Sequence, residues 1–383
     1  MGVRATSLFV FGLFALSATA WSRPDFSSVQ ALCDQAVADG KVAGGSVLVL
    51  HAGKVHLAHA FGYADIETQT PFTLETPVVV ASISKPLLAT VSHRLAARGD
   101  LDLSKPISQL IPAFETSRLE SGERITRAPT VQELITHTSG IRYEKAPGGR
   151  PWFAAWTPGK TMAQVVGKYA RDYPFKTNPG TKYAYSGMGT DVQARVLEIV
   201  TQQPRNQLIV TELAKPLGMT HTFYRDAASL KKIGPMPTRY HRPNDGPLVV
   251  SRHRPIPPVN TYSSSGGSMI STAPDLARWL SMIRNQGLHE GRPYLAPETV
   301  AEMLRPFPKS KNARGGLFIR KKSDEGKALV FGHTGSSGTN CWIDFEQDVI
   351  GIMLTQTRYN DIAGFRRAVE DLVTACAAAN VPE

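Results

Sequence analysis

Ala81-Ser82-Ile83-Ser84-Lys85 sets a serine and a lysine three residues apart. On a helix that spacing stacks the two side chains on one face, one turn apart. A serine hydroxyl is a weak nucleophile and needs a base beside it. An amine can serve if desolvation or a nearby cation lowers its pKa. A helix N-terminus under the serine adds partial positive charge where an oxyanion would develop. The same spacing occurs in Ser229-Leu230-Lys231-Lys232, in a polar, loop-like stretch, and it is also common on solvated helix faces. Ser82 differs in its setting. Apolar Val78-Val79-Val80-Ala81 leads into it, a strongly patterned helix follows, and two further motifs come later in the chain. These are Pro179-Gly180-Thr181-Lys182-Tyr183-Ala184-Tyr185-Ser186-Gly187 and Phe331-Gly332-His333-Thr334-Gly335-Ser336-Ser337-Gly338.

Other chemistries find less support. There is no Gly-x-Ser-x-Gly elbow. Without His-Glu-x-x-His or paired Cys-x-x-Cys, neither metal nor cofactor is expected. His51, His56 and His59 fall on one hairpin and read as solvent-facing strand residues. His137, two residues before Ser139, suggests a triad but reads better as a packing or hydrogen-bonding residue.

The elements that must hold these residues follow from periodicity. Residues 27–40 and 82–98 read as helices. Residues 46–50 and 55–61 read as a hairpin around His51-Ala52-Gly53-Lys54. Residues 230–262, rich in Pro, Arg and His, read as an extended loop region. Residues 273–285 read as a helix with Pro274 in its first turn. Strands are expected at 318–320, 329–332, 340–345 and 349–356, and a closing helix at 362–378. Strands at both ends with helices between give an α+β class: an antiparallel sheet flanked by helices, with an inserted, mainly helical region. The expected division is a sheet domain from 21–80 and 262–383, and a helical region from 81–261 carrying the site loops.

The 383 residues are 42% hydrophobic and 20% charged, which excludes a disordered or collagen-like chain. Arg4, the apolar run Leu8–Leu16 and Ala18-Thr19-Ala20 form a secretory signal pattern. The run falls short of the ~20 residues that span a bilayer, and no later segment is apolar enough to span one. Cleavage after Ala20 and a secreted or periplasmic location are expected. Loss of Arg4 takes the net charge from +11 to +10. Lys309 to Lys327 is the densest basic run, but Phe318 is its only aromatic residue. Without a stacking platform it reads as a solvated basic loop and not a nucleic-acid site. Three cysteines, Cys33, Cys341 and Cys376, allow at most one bridge; Cys33–Cys376 is one option and three thiols the other.

Taken together, the motifs resemble the serine β-lactamase-related hydrolases: class C β-lactamases, D-alanyl-D-alanine carboxypeptidases, D-amino-acid peptidases and β-lactamase-like esterases. The resemblance runs from about residue 28 to 375. It rests on Ser82-Ile83-Ser84-Lys85-Pro86, Gly99-Asp100-Leu101-Asp102-Leu103, Leu134-Ile135-Thr136-His137-Thr138-Ser139-Gly140, Tyr185-Ser186, Pro216-Leu217-Gly218-Met219, Ser271-Thr272-Ala273-Pro274-Asp275-Leu276-Ala277 and His333-Thr334-Gly335, in the family's order. It implies that Ser82 is acylated, that Lys85 tunes proton transfer, and that Tyr185 is the partner base with a lowered phenol pKa. It also implies that His333-Thr334-Gly335 lies on an edge strand facing the serine, and that the N–H groups of Ser82 and Ser336 form the oxyanion hole.

Two departures bear on substrate. Members that act on β-lactams or peptides commonly carry Tyr-x-Asn, whereas Gly187 stands at the third position here. His333, partly charged near neutral pH, stands where a lysine would be a permanent cation. Both argue against an efficient β-lactamase. The expected function is an exported serine hydrolase cleaving an ester, amide or D-amino-acid (cell-wall) peptide bond, with a small-molecule or peptide substrate. A β-lactamase proper and a catalytically silent penicillin-binding-type module are the alternatives. Loops 141–160 and 230–262 would set the substrate, with Trp152, Trp156, Tyr240 and Tyr262 either lining an aromatic pocket or packed as core.

Overall fold

The computed structural model describes residues 24–141, 157–231, 233, 236–251 and 256–379. The expected signal segment, Trp152, Trp156 and Lys232 lie outside them.

The chain forms a seven-stranded sheet: β1 (Gly44–His51), β2 (Lys54–Asp65), β3 (Thr70–Pro71), β4 (Phe318–Lys322), β5 (Ala328–Thr334), β6 (Asn340–Asp344) and β7 (Val349–Thr355). The spatial order is β4-β5-β6-β7-β1-β2-β3. Every neighbouring pair is antiparallel. β1 is an inner strand beside the central β7, with Leu48 opposite Ile352 on β7 and Ala58 on β2. The N-terminal hairpin and the C-terminal meander thus join through β1 and β7.

Both faces of the sheet are buried, and alternation assigns residues to each. Val47, Val49, Trp342, Val349 and Met353 face one side, where they meet Val29 and Cys33 of helix α1 (Ser27–Ala38) and Val369 and Val373 of the closing helix (Ala363–Ala378). Gly351 leaves room for the Trp342 ring there, since a Cβ would come within 2.1 Å of it. Leu48, Leu50, Ile343, Ile350 and Leu354 face the other side, in a core that continues through helix α2 (Ser84–Ala97) into the helical region. That core also holds Leu276, Trp279, Leu280 and Ile283 of the helix Ala273–Arg284, whose N-cap Thr272 accepts from the Asp275 N–H.

α2 departs from its expectation in one way. Its apolar residues predict one buried face, yet every residue from Ile83 to His93 is buried. The helix runs between the sheet and the helical region, so its polar side is covered too. Those polar groups are paired. Thr90 donates to Pro86 O (2.9 Å) and accepts from Trp279 Nε1 (3.0 Å), and His93 Nε2 donates to Arg314 O (3.0 Å).

The basic segment 309–327 is not simply a solvated loop. Phe318–Lys322 pairs with β5 as the edge strand of the sheet. Arg320 turns inward to Glu370 (2.6 Å) and Asn340 (2.8 Å). The terminal helices pack together, but Cys376 Sγ meets Ser28 Oγ at 3.4 Å and the cysteines are thiols. His59 lies against Asp34 (2.8 Å) and His51 against the His56 ring, so the hairpin histidines are half-buried rather than solvent-facing. No described helix is long and apolar enough to cross a membrane.

Candidate active site

A small three-stranded sheet, Val78–Val79, Met269–Ser271 and Phe223–Tyr224, delivers the chain to Ser82. The Val80 N–H donates to Met269 O (2.9 Å), and the chain then turns through Ala81 at φ 49°. A non-glycine residue in that region carries strain that surrounding contacts must hold. Here Ser84 Oγ holds the turn, donating to Ala81 O (2.6 Å) and accepting from the Met269 N–H (3.2 Å). Ser82 sits in a 3-10 turn (Ala81–Ile83) at the mouth of α2, partly exposed while both neighbours are buried.

Lys85, only 6% exposed, points its amine back at the serine. Nζ donates to Ser82 Oγ (3.0 Å) and to Gly266 O (2.7 Å), and lies 4.7 Å from the Tyr185 ring centre. The Gly266 carbonyl is aimed by a buried polar network absent from the sequence expectations. Asp191 accepts from the Ser265 N–H (2.6 Å), Tyr262 OH (2.8 Å) and Tyr169 OH (3.1 Å). Arg205 donates to Ser265 Oγ (2.8 Å) and stacks on Tyr224, whose hydroxyl donates to Ser265 O (3.0 Å). A Cβ on Gly266 would sit 2.9 Å from Lys85 Nζ. The only sequence trace of this support is the run Ser263-Ser264-Ser265-Gly266-Gly267.

Tyr185 hydrogen-bonds the Ser82 side chain. It is held by His137, which adopts φ 58° and ties two turns together. His137 O accepts from the Ala184 N–H (2.7 Å), its Nδ1 accepts from the Ser186 N–H (3.2 Å), and its ring lies 4.3 Å from that of Tyr185. Burial and the Lys85 charge keep the His137 imidazole neutral, well below its usual range. The lowered phenol pKa expected of Tyr185 is not found. Burial pushes it up to about 12, against a smaller opposing effect of the Ser82 hydrogen bond. Tyr262 and Tyr240 are buried; Tyr262 binds Asp191, and Tyr240 OH accepts from the Ile66 N–H (2.8 Å). They pack as core, not as an aromatic pocket lining.

His333, Thr334 and Gly335 close the other side, with two corrections. First, they are not on the edge strand, because β4 covers β5; that pairing runs from Phe318↔Gly332 to Lys322↔Ala328 and stops short of His333. Second, His333 is not partly charged. It is 1% exposed and stacks on Phe318 (4.5 Å). Burial, then the Lys85 charge, lowers its pKa to about 3. Its Nδ1–H donates to Thr334 O (2.8 Å), and buried Nε2 has no partner among the described residues. Beyond it, the 335–339 turn is pressed against the Val78–Val79 strand and the residue after it, which lead to Ser82. Ser337 Oγ donates to Val79 O (2.6 Å) and Thr339 Oγ1 to Val80 O (3.0 Å). Gly335 is required there, since a Cβ would meet Val80 O at 2.5 Å. This contact carries Ser336 to the Ala81–Ser82 turn. Ser229, the other serine with this spacing, sits in a short helix capped by Asp226.

The site thus presents a serine hydroxyl, a buried amine and a phenol on one oxygen, with two backbone turns beside it. The Beta-lactamase family model matches residues 29–375. Esterase EstB of Burkholderia gladioli is 27% identical over 374 residues, 88% of this chain and 91% of that protein. The structure of EstCE1, a hydrolase with promiscuous acyltransferase activity, superposes with a TM-score of 0.77 at 23% identity, covering 91% of this chain and 98% of that one. Unliganded simvastatin synthase (LovD) from Aspergillus terreus gives 0.70 at 18% identity, covering 92% and 98%. The two structural likenesses establish the shared fold.

Proposed function

This chain belongs to the Beta-lactamase family and is a serine hydrolase, and from that premise we propose that it works through an acyl-enzyme on Ser82. The observation that carries the reading is the convergence of Lys85 Nζ (3.0 Å) and the Tyr185 hydroxyl on Ser82 Oγ. Ser82 Oγ attacks the substrate carbonyl carbon. The N–H groups of Ser82 and Ser336 stabilise the oxyanion. Because the Tyr185 phenol holds its proton, it acts as a relay: it takes the serine's proton on its oxygen as it gives its own to the leaving oxygen or nitrogen. The serine proton is thereby accounted for without a resting phenolate. Water reverses the sequence to release the acid, and the Lys85 charge favours each anionic stage.

The substrate is an ester, an amide or a D-amino-acid peptide, reached after export to the periplasm or medium. Gly187 at the first position of its helix lacks the amide that would read an acylamide group, and neutral His333 supplies no cation. Both favour ester over β-lactam turnover. The test is a short-chain 4-nitrophenyl ester against nitrocefin, with Ser82→Ala as control and mass spectrometry after a fluorophosphonate. Ester turnover with an adduct on Ser82 supports the reading. Fast nitrocefin turnover without esterase activity would make the protein a β-lactamase proper, and a folded protein with no adduct a silent binding module. N-terminal sequencing of the protein from its native host tests export; a start at Trp21 is expected.

A further inference from the structure

A cavity of about 370 Å³ opens beside the nucleophile, with Ala81 and Ser336 in its wall. That volume lies in the range of small-ligand pockets, roughly 300–1,000 Å³. Val79, on the strand that leads to Ser82, faces it together with Leu230, Met236, Pro237 and Ile256. Val79, Leu230 and Met236 are half-buried, and Ile256 is 52% exposed at the rim. Apolar surface is therefore still open inside a concave wall, where a guest gains by covering it.

The polar groups of the wall are committed elsewhere. Ser337 Oγ donates to Val79 O (2.6 Å), Ser268 Oγ to Ser264 O (2.7 Å) and the Gln356 amide to Thr355 O (2.6 Å). Gln356 Oε1 is buried and out of a guest's reach. Arg225 and Arg239 also border the cavity, and both have interaction partners of their own. What the lining offers a guest is chiefly hydrocarbon.

Which part of a substrate faces the cavity follows from the proton. The leaving atom takes its proton from Tyr185, so it must lie against that phenol. Neither Tyr185 nor Lys85 lines the cavity, whose wall reaches the reacting centre through Ala81 and Ser336, at the two oxyanion turns. The leaving group and the cavity thus lie on different sides of the reacting carbon, which turns the acyl arm to the cavity.

We propose that this cavity is the acyl pocket and that it selects an uncharged, unbranched aliphatic arm of medium length. The proposal rests on the reading of Ser82 as the acylated serine and adds the chemical class of the acyl group.

The test uses matched esters. Ethyl hexanoate and hexyl acetate are isomers that carry the longer chain on opposite sides of the ester. Ethyl hexanoate is expected to have the higher kcat/KM. 4-Nitrophenyl hexanoate should exceed the acetate by about tenfold or more, since each fully buried methylene is worth about fourfold. Added salt should leave both preferences unchanged. Met236→Trp, which fills the cavity, should cut them about tenfold while 4-nitrophenyl acetate is still turned over. Ile256→Ser, at the exposed rim, should weaken them about threefold. Faster turnover of hexyl acetate, or preferences unchanged in both variants, overturns the proposal. Binding of hexanamide to Ser82→Ala protein, by calorimetry, reads the cavity without the chemistry. Weaker binding in the Ser82→Ala/Met236→Trp protein supports the pocket; equal or no binding overturns it. Hexanamide binding that Met236→Trp weakens, with no turnover of any ester and no fluorophosphonate adduct, would sink the Ser82 reading and leave the pocket standing.

Discussion

Tyr185 keeps its proton throughout the neutral range, because burial raises its phenol to about 12. A relay loses far more from removal of the hydroxyl than from a change of pH. Tyr185→Phe should lower acylation by about 10²–10⁴, the usual share of a positioned acid–base group. Activity should show no rise with a midpoint between pH 8 and 10. A pre-steady-state burst assay across pH checks both; a rise centred near 9 would mean a phenolate base. Gly266 makes a second prediction. A methyl there meets the Lys85 amine, and displacement of a catalytic group by ~1 Å can cost about 10²-fold in rate. Gly266→Ala is therefore expected to lower kcat much more than it changes KM or the melting temperature. The pair Ser82 and Lys85 was legible in sequence because a three-residue spacing sets both side chains on one helix face, whereas Tyr185 entered only through the family resemblance. The Asp191–Ser265 support was not legible, because its members are scattered from Tyr169 to Ser265 and meet only through burial.

At the scale of elements, β5 places a neutral imidazole where a surface strand would have left it titrating. The folded pKa of His333 is lowered to about 3, against about 6.5 for an unfolded histidine. The unfolded chain therefore binds this proton first as pH falls. His333 contributes stability above pH 6.5 and loses it progressively from 6.5 toward 3. His93 and His137 are shifted the same way by burial. The raised carboxyls of Asp191 and Asp275 act with the opposite sign. Urea midpoints should fall between pH 6.5 and 4, with a shallower slope in His333→Gln; equal slopes would refute the assignment. The strands around this residue were readable as short, continuous apolar runs bounded by turn residues, and the terminal helices by their 3.6-residue period. Strand β4 was expected at 318–320 and runs on to Lys322; what composition missed is that Arg320, read as part of a solvated basic run, turns inward to Glu370.

For the whole molecule, one apolar core runs from the sheet through α2 into the helical region. The sheet and helices are expected to unfold together, with far-UV circular dichroism and tryptophan fluorescence giving coincident urea transitions. Two separated transitions would show that the helical region holds itself together. The chain carries an overall charge of +11. Part of it is matched locally, since Arg320, Arg284 and Arg127 pair with Glu370, Asp348 and Glu133. Finally, the first and last described helices lie side by side against one face of the sheet, with Ser28 and Cys376 touching, whereas Ser82 opens from the other. A short linker from 379 to 24, with new ends cut in an exposed turn, should give a circularly permuted enzyme that still folds. A surface tethered through either helix would meet the back of the molecule and leave the cleft turned outward.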